Sequence, residues 1–219
     1  MSTTASNIAN PATIIWNNYI DLDHDVKPYL QFPSSFTEND TLLQLVTDYV
    51  CQESQQVMGK PVAPTSFFGR FDGWTGWNGA YLMLPYYPVL QVTEVVEWWG
   101  TNGPNILQEQ TPENQVWGFN LDARTGTLTR VFPGLVQMPW FPGARSIEIT
   151  WTAGYNPVPA MFKLPALEII REWWAATQQA SRSGQFRSED ALVAETNTYA
   201  GLPRRVRSTF FANAQIGIG

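Results

Sequence analysis

Hydrophobic residues follow two different periods along this chain. After Thr37-Glu38-Asn39-Asp40, which offers N-cap oxygens and first-turn carboxylates, the apolar set Leu42, Leu45, Val46, Tyr49, Val50 and Val57 keeps helical spacing until Gly59. The pattern predicts a helix of about five to six turns. Between Gly59 and Tyr155 the period becomes two. Trp117, Phe119 and Leu121 alternate with Gly118, Asn120 and Asp122, and Ile147, Ile149, Trp151 and Ala153 alternate with Ser146, Glu148, Thr150 and Thr152. Asp122-Ala-Arg-Thr-Gly126 has turn chemistry and joins the first of these to Leu128–Phe132 as a hairpin. Val89–Trp99 reads as a long strand whose alternation is blurred by Glu94 and Glu97, and Tyr81–Leu84 as a short one. About five strands in an antiparallel unit are expected. Past Asn-Pro-Val-Pro159 the helical period returns and runs to about Ser183. Pro165 leaves two readings open: a separate first turn, or a main helix that begins at Pro165.

The fold class that follows is α+β: two main helices plus short terminal helices, with an antiparallel β unit between the main helices. Four segments are expected: residues 1–24 as an N-terminal arm, 25–65 with 156–200 as the helical domain, 66–155 as the β-rich insertion, and 201–219 as a tail. The Pro/Gly-rich stretches Gly100–Asn105 and Pro133–Gly143 are expected as exposed loops, and Phe67–Tyr81 as a long aromatic loop. No continuous apolar segment is long enough to span a membrane, since Ala80–Leu90 is broken by Pro85 and Pro88. Cys51, alone in its apolar run, reads as a buried small hydrophobe, which suits a reducing cytosol.

Composition narrows the function. Charged residues make up 15% of the 219, well below the roughly 25% of ordinary soluble domains, while aromatics reach 14%. Nineteen acidic against thirteen basic residues give a net charge of −6, which excludes a sequence-independent grip on nucleic acid. Trp98-Trp99 and Trp173-Trp174 are adjacent pairs whose members cannot both face one core, so some rings are left for partners.

Candidate chemistry is sparse. Asp21-Leu-Asp23-His24-Asp25 looks like the start of a cation loop, but Val26 and Phe32 stand where glycine and glutamate are needed, so it reads as a solvated acidic turn. With one His and one Cys, neither a zinc set nor a nucleophilic engine can be assembled. No metal, cofactor or catalytic residue is assigned. Paired carboxylates for glycoside hydrolysis are formally available, for instance Asp72 with Glu97 or Glu148. Trp74 and Trp77, in a glycine-spaced aromatic loop, either pack within the protein or stack on sugar rings, which leaves a carbohydrate-binding β-module as the alternative function. Arg204, Arg205 and Arg207 beside Phe210 and Phe211 form the one basic cluster, either a solvated tail or a docking peptide.

The order of these features resembles the head-to-tail adaptor (connector, head-completion) proteins of tailed bacteriophages. Asp25-Val-Lys-Pro-Tyr-Leu30, Asn39-Asp-Thr-Leu-Leu-Gln-Leu45 and Met58-Gly-Lys60 are similar to the start of that family. Leu84-Pro-Tyr-Tyr-Pro-Val-Leu-Gln-Val-Thr-Glu-Val95 is similar to its strand entry, Gly126-Thr-Leu128 to its hairpin, Ile149-Thr-Trp-Thr-Ala-Gly-Tyr155 with Val158-Pro159 to its last strand and second helix, and Leu202-Pro-Arg-Arg-Val-Arg207 to its closing segment. The resemblance runs from about Asp25 to Arg207 and departs from the family at Lys60, at Pro165 and in the loop Phe67–Tyr81. It implies a small helical bundle carrying a β insertion, in a structural, non-catalytic virion protein of the neck, made in the host cytoplasm and assembled as a dodecameric ring of identical subunits under the portal protein. A stopper or tail-terminator protein would bind below, DNA would pass through the lumen in packaging and ejection without specific binding, and no membrane would be involved. It further implies that Arg204, Arg205, Arg207, Phe210 and Phe211 dock on the portal. Trp16, Trp74, Trp77, Trp99 and Trp173 are the expected contacts between subunits or with the neck.

Overall fold

The computed structural model describes residues 6–7, 16–73, 79–134 and 136–182. The chain divides into two compact units, a helical one built on Trp16–Val62 and the segment from Pro157, and a β unit built on Ala63–Asn156. The α+β class expected from the sequence is what the structure has.

The helical unit begins with charge chemistry. Asp21 Oδ1 accepts the N–H groups of Asp23 (2.9 Å) and His24 (2.8 Å) and so caps a one-turn π-helix, Leu22–Val26, that runs into the short helix α1, Lys27–Tyr29. The long helix α2, Asp40–Met58, stops at Gly59, whose φ of 65° only glycine adopts easily. Its buried face is Leu43, Val46, Thr47, Val50, Cys51, Ser54, Gln55 and Met58, while Leu45 and Tyr49 point to solvent. Part of the expected apolar stripe is therefore on the outside. Three polar residues replace it within because each is hydrogen-bonded there: Thr47 Oγ1 donates to the Leu43 carbonyl at 2.7 Å, Ser54 Oγ shares a 2.7 Å hydrogen bond with Tyr19, and Gln55 Oε1 accepts from Val62 N at 2.8 Å.

Helix α3 spans Ala160–Arg182 without a break and contains Pro165. Neither expected reading of the proline holds. It lies in the second turn, where it forgoes only the hydrogen bond to the Met161 carbonyl, and Met161 is itself exposed, so water can take the partner's place. Phe162, Ala166, Leu167, Ile169 and Ile170 are buried, and α3 packs on α2. Lys163 Nζ reaches both Asp25 oxygens at 2.8 Å, and Trp174 meets Phe32 edge-on at 5.5 Å.

Among the described residues the β unit has nine strands rather than about five: β1 Ser6–Asn7, β2 Thr65–Gly73, β3 Tyr81–Met83, β4 Val89–Trp98, β5 Pro104–Glu109, β6 Gly118–Asp122, β7 Thr127–Phe132, β8 Val136–Gln137 and β9 Gly143–Ala153. Their order is β1-β2-β9-β4-β5-β6-β7-β3, with β8 also on β7. The expectation of a wholly antiparallel unit is corrected at two joins, β1–β2 and β5–β6, which are parallel. The strands beyond the expected five are β1, β2, β5 and β8, and β2 from Phe67 onward lies where a loop was expected. Its core side is Thr65, Phe67, Gly69 and Phe71, set against Ala153, Trp151, Ile149 and Ile147. Glycine interrupts the alternation at position 69 because a Cβ there would sit 2.9 Å from the Phe71 ring and 3.3 Å from Trp151.

The β6–β7 hairpin is built as its sequence implies. Asp122 accepts from Arg124 N (3.1 Å) and the Thr125 hydroxyl (2.8 Å), and Gly126, at φ 70°, closes the turn. On β9, Ile147, Ile149, Trp151 and Ala153 are all fully buried, as their alternation predicts.

Candidate interaction surfaces

The carboxylates that a hydrolytic reading needs are all engaged inside the β unit. Glu97 on β4 is 1% exposed and Arg130 on β7 is 0% exposed. Glu97 Oε2 accepts from Arg130 Nη2 (3.2 Å) and Trp99 Nε1 (2.8 Å), and its Oε1 accepts from Phe141 N (2.6 Å). Arg130 Nη1 also donates to the carbonyls of Gly118 (2.8 Å) and Val131 (3.1 Å), so one ion pair ties β4, β6, β7 and the segment after β8. Glu148 pairs with Arg70 at 2.8 Å, and Asp72 accepts from Arg145 N at 2.6 Å. These groups act as structural acceptors.

The acidic turn is likewise consumed within the helical unit. Lys27 Nζ, almost wholly enclosed, bridges Asp23 (2.7 Å) and Asp40 (2.9 Å), and Lys163 takes Asp25. The His24 backbone N–H and ring lower the pKa of the Asp21 carboxyl, and the hydrogen bond to Asp21 raises that of His24. Among the described residues, no cluster of three or more His, Cys, Asp or Glu side chains has the geometry of a metal site, and no helix is long and apolar enough to cross a membrane. Burial pushes the Cys51 thiol up to about 11.

Several large apolar side chains remain outward. The helical unit exposes Leu45 and Tyr49, one turn apart on α2, and Met161, Leu164 and Trp173 on α3. The β unit exposes Ile106 (64%) beside its cross-strand neighbour Val96, with Trp98 opposite Pro104 on the same sheet face. Tyr81, Met83 and Val136 are exposed at the sheet's other end.

Of the residues singled out from sequence, Trp173 is 40% exposed and available to a partner, with Trp174 turned inward on Phe32. Trp16 is buried in its own unit, its backbone N–H donating to Gln52 Oε1 (3.2 Å) and its carbonyl accepting from Gln52 Nε2 (2.6 Å). Trp99 is half-buried, stacked on Phe141 with centroids 5.6 Å apart, so that Trp98 is the more exposed of that pair. Trp74, Trp77, Arg204, Arg205, Arg207, Phe210 and Phe211 lie outside the described residues. Sequence reasoning missed Ile106, Met83 and Val136, for which the one available signal was an apolar residue in a segment expected to be a loop or a strand end. Nothing among the described residues favours sugar binding.

No family model matches this sequence, and no curated protein matches it. Solved structures do. A chain in the neck of an empty GTA particle, computed with C6 symmetry, superposes with a TM-score of 0.54 at 13% identity, covering 90% of this chain and 92% of that one. A chain in the virion of a native gene transfer agent (GTA) particle superposes with a TM-score of 0.51 at 16% identity, covering 86% of this chain and 84% of that one. At such identities the likeness establishes the fold, over nearly the whole of each chain: this protein folds as chains found in the neck and virion of gene transfer agent particles do.

Proposed function

We propose that this protein is a structural, non-catalytic subunit of a phage-type neck, a head-to-tail adaptor that forms a ring of identical copies beneath the portal, extends the DNA channel and offers a platform to the stopper or tail terminator. The observation that carries this is a coincidence of two independent orders. The motif series from Asp25 to Arg207 resembles the adaptor family, and the fold is similar to that of a chain in a GTA neck over 90% of the length. The C6 symmetry used for that neck supports a cyclic assembly, with heterologous contacts that close by rotation. Low charge and outward Trp98, Ile106, Tyr49 and Trp173 suit subunits whose surface is covered by neighbours.

In this reading residues 25–65 and 156–200 make the ring body, 66–155 the β-rich insertion, and 201–219 the portal contact, with Arg204, Arg205 and Arg207 providing charge and Phe210 and Phe211 anchors. The DNA passes without being gripped. Electron microscopy of the protein mixed with its portal should show added ring density below the portal, and portal particles without it would overturn the assignment. Replacing Arg204, Arg205 and Arg207 together by Ala should weaken portal association while the circular dichroism spectrum stays unchanged. Undiminished association would remove the tail from docking.

A further inference from the structure

The sheet ends on β3 and β8, and no described strand pairs with the outer side of either. In antiparallel pairing, alternate residues bond the neighbour and those between face away. Arg130 N donates to the Ala80 carbonyl and Leu84 N to the Gly126 carbonyl, each at 2.8 Å, so Ala80, Leu82 and Leu84 bond β7. Tyr81 and Met83 therefore turn their N–H and C=O groups to the open side.

This edge lacks the usual guards. Edge strands are commonly blunted by charge, proline or a bulge. Tyr81-Leu-Met83 and Val136-Gln137 contain neither a charged residue nor a proline, their register with β7 is unshifted, and Tyr81, Met83 and Val136 are half exposed or more. The opposite end is guarded: β2 carries Arg70 and Asp72, has a register shift between Phe71 and Gly73, and holds β1 against Phe67 and Phe68.

The same chain contains a segment of matching chemistry. Phe210, Ala212, Ala214, Ile216 and Ile218 alternate with Phe211, Asn213, Gln215, Gly217 and Gly219, a period of two, and no charge occurs from Ser208 onward. This segment lies outside the described residues. The stretch separating it from Arg182 spans about 90 Å when extended, enough to reach a neighbouring subunit.

We infer that the β3–β8 edge receives residues 210–218 of a second copy as an added strand, bonded to the outward groups of Tyr81 and Met83. Main-chain hydrogen bonds supply the affinity of such β-augmentation, and contacts with Tyr81, Met83 and Val136 select an uncharged strand. The inference rests on the assembly of identical copies proposed above and names one contact that links them. It leaves Arg204, Arg205 and Arg207 to the portal, and makes portal and neighbour compete for Phe210 and Phe211.

The test mixes two full-length variants under mild oxidation. One carries Met83→Cys, and the other carries cysteine at one position from 210 to 218. Cys51 stays in place because it is buried. Paired strands bring Cα atoms within disulfide range, and alternation makes one face reactive. The expected result is a disulfide-linked dimer at even-numbered positions such as Ala214→Cys or Ile216→Cys, absent at Asn213→Cys and Gln215→Cys, and lost when Tyr81→Lys is added beside Met83→Cys. No linked dimer at any position overturns the inference. So does linkage of equal yield at even and odd positions, or linkage only within a chain carrying both cysteines. Electron microscopy of the same unoxidised proteins with portal separates the two ideas: rings without cross-links remove the edge contact alone, and absence of rings removes the adaptor reading.

Discussion

Replacing Glu97 by Ala tests whether the buried ion pair organises the β unit. The substitution leaves the Arg130 guanidinium fully enclosed, still bonded to the Gly118 and Val131 carbonyls but without its counter-charge. It also strips an acceptor from Trp99 Nε1 and from Phe141 N. Removing one partner of a buried pair costs about 3–5 kcal/mol. Each orphaned donor adds about 1–3 kcal/mol where water cannot reach. Trp99 and Phe141 are only half-buried and can rehydrate, so the first figure dominates and about 4 kcal/mol is expected. For a chain of this length that is a fall in Tm of about 8–16 °C. Glu97→Leu combined with Arg130→Met removes both charges at similar volume, and should recover all but about 1–2 kcal/mol. Urea unfolding followed by tryptophan fluorescence, with near-ultraviolet circular dichroism as a second probe, measures both. A loss below about 1 kcal/mol for Glu97→Ala, or a double variant as destabilised as the sum of its singles, would falsify the view that charge pairing rather than packing matters there.

Three further outcomes follow from single positions. Gly118→Ala should cost about 2–3 kcal/mol by urea unfolding, because its Cβ would collide with the Gln108 carbonyl across the parallel β5–β6 join; near-native stability would show that this join gives way easily. Cys51 should resist a thiol reagent at mildly alkaline pH in the folded protein and react at once in denaturant, since burial pushes its thiol up to about 11; prompt reaction of the folded protein would contradict its burial. The Thr125 hydroxyl and the Arg124 N–H hold the Asp122 carboxyl below the ordinary carboxylate value, so its stabilisation is present above that value and is lost as pH falls through the folded one. Asp122→Asn should accordingly flatten the acid limb of the stability profile, and an unchanged limb would remove the turn from that role.

Legibility in the sequence depended on whether each element's pattern was carried by apolar residues alone. β9 was plain because Ile147, Ile149, Trp151 and Ala153 are all apolar and all face the core. The β6–β7 hairpin was plain because Asp122 and Gly126 perform the turn themselves. Helix α2 was found with its face partly misread, because Thr47, Ser54 and Gln55 are buried by virtue of hydrogen bonds that hydropathy does not register. β2 was missed where glycine occupies a core position at 69, and β8 because two residues carry no period.

The outward surface was harder to read, and β4 shows why. Its register against β9 shifts twice, between Val89 and Gln91 and between Val92 and Glu94, so alternation counted from one end gives the wrong side at the other. Past the second shift, Val95 and Glu97 face the core, and Val96 and Trp98 face out. A glutamate inside a hydrophobic sheet makes physical sense only once Arg130, thirty-three positions away, is known to meet it. That non-local pair decides which tryptophan points where: with Glu97 inward, Trp99 folds back to donate to it and stacks on Phe141, while Trp98 is left in solvent next to Pro104. The same logic extends to the sheet edges. The outward N–H and C=O groups of Tyr81 and Met83 follow from β7 bonding the residues on either side of them, a property of the pairing that composition does not reveal. The outward surface of this protein is thus set by which backbone and charged groups have been satisfied internally, and in the proposed ring the apolar side chains left outside are those a neighbour would meet.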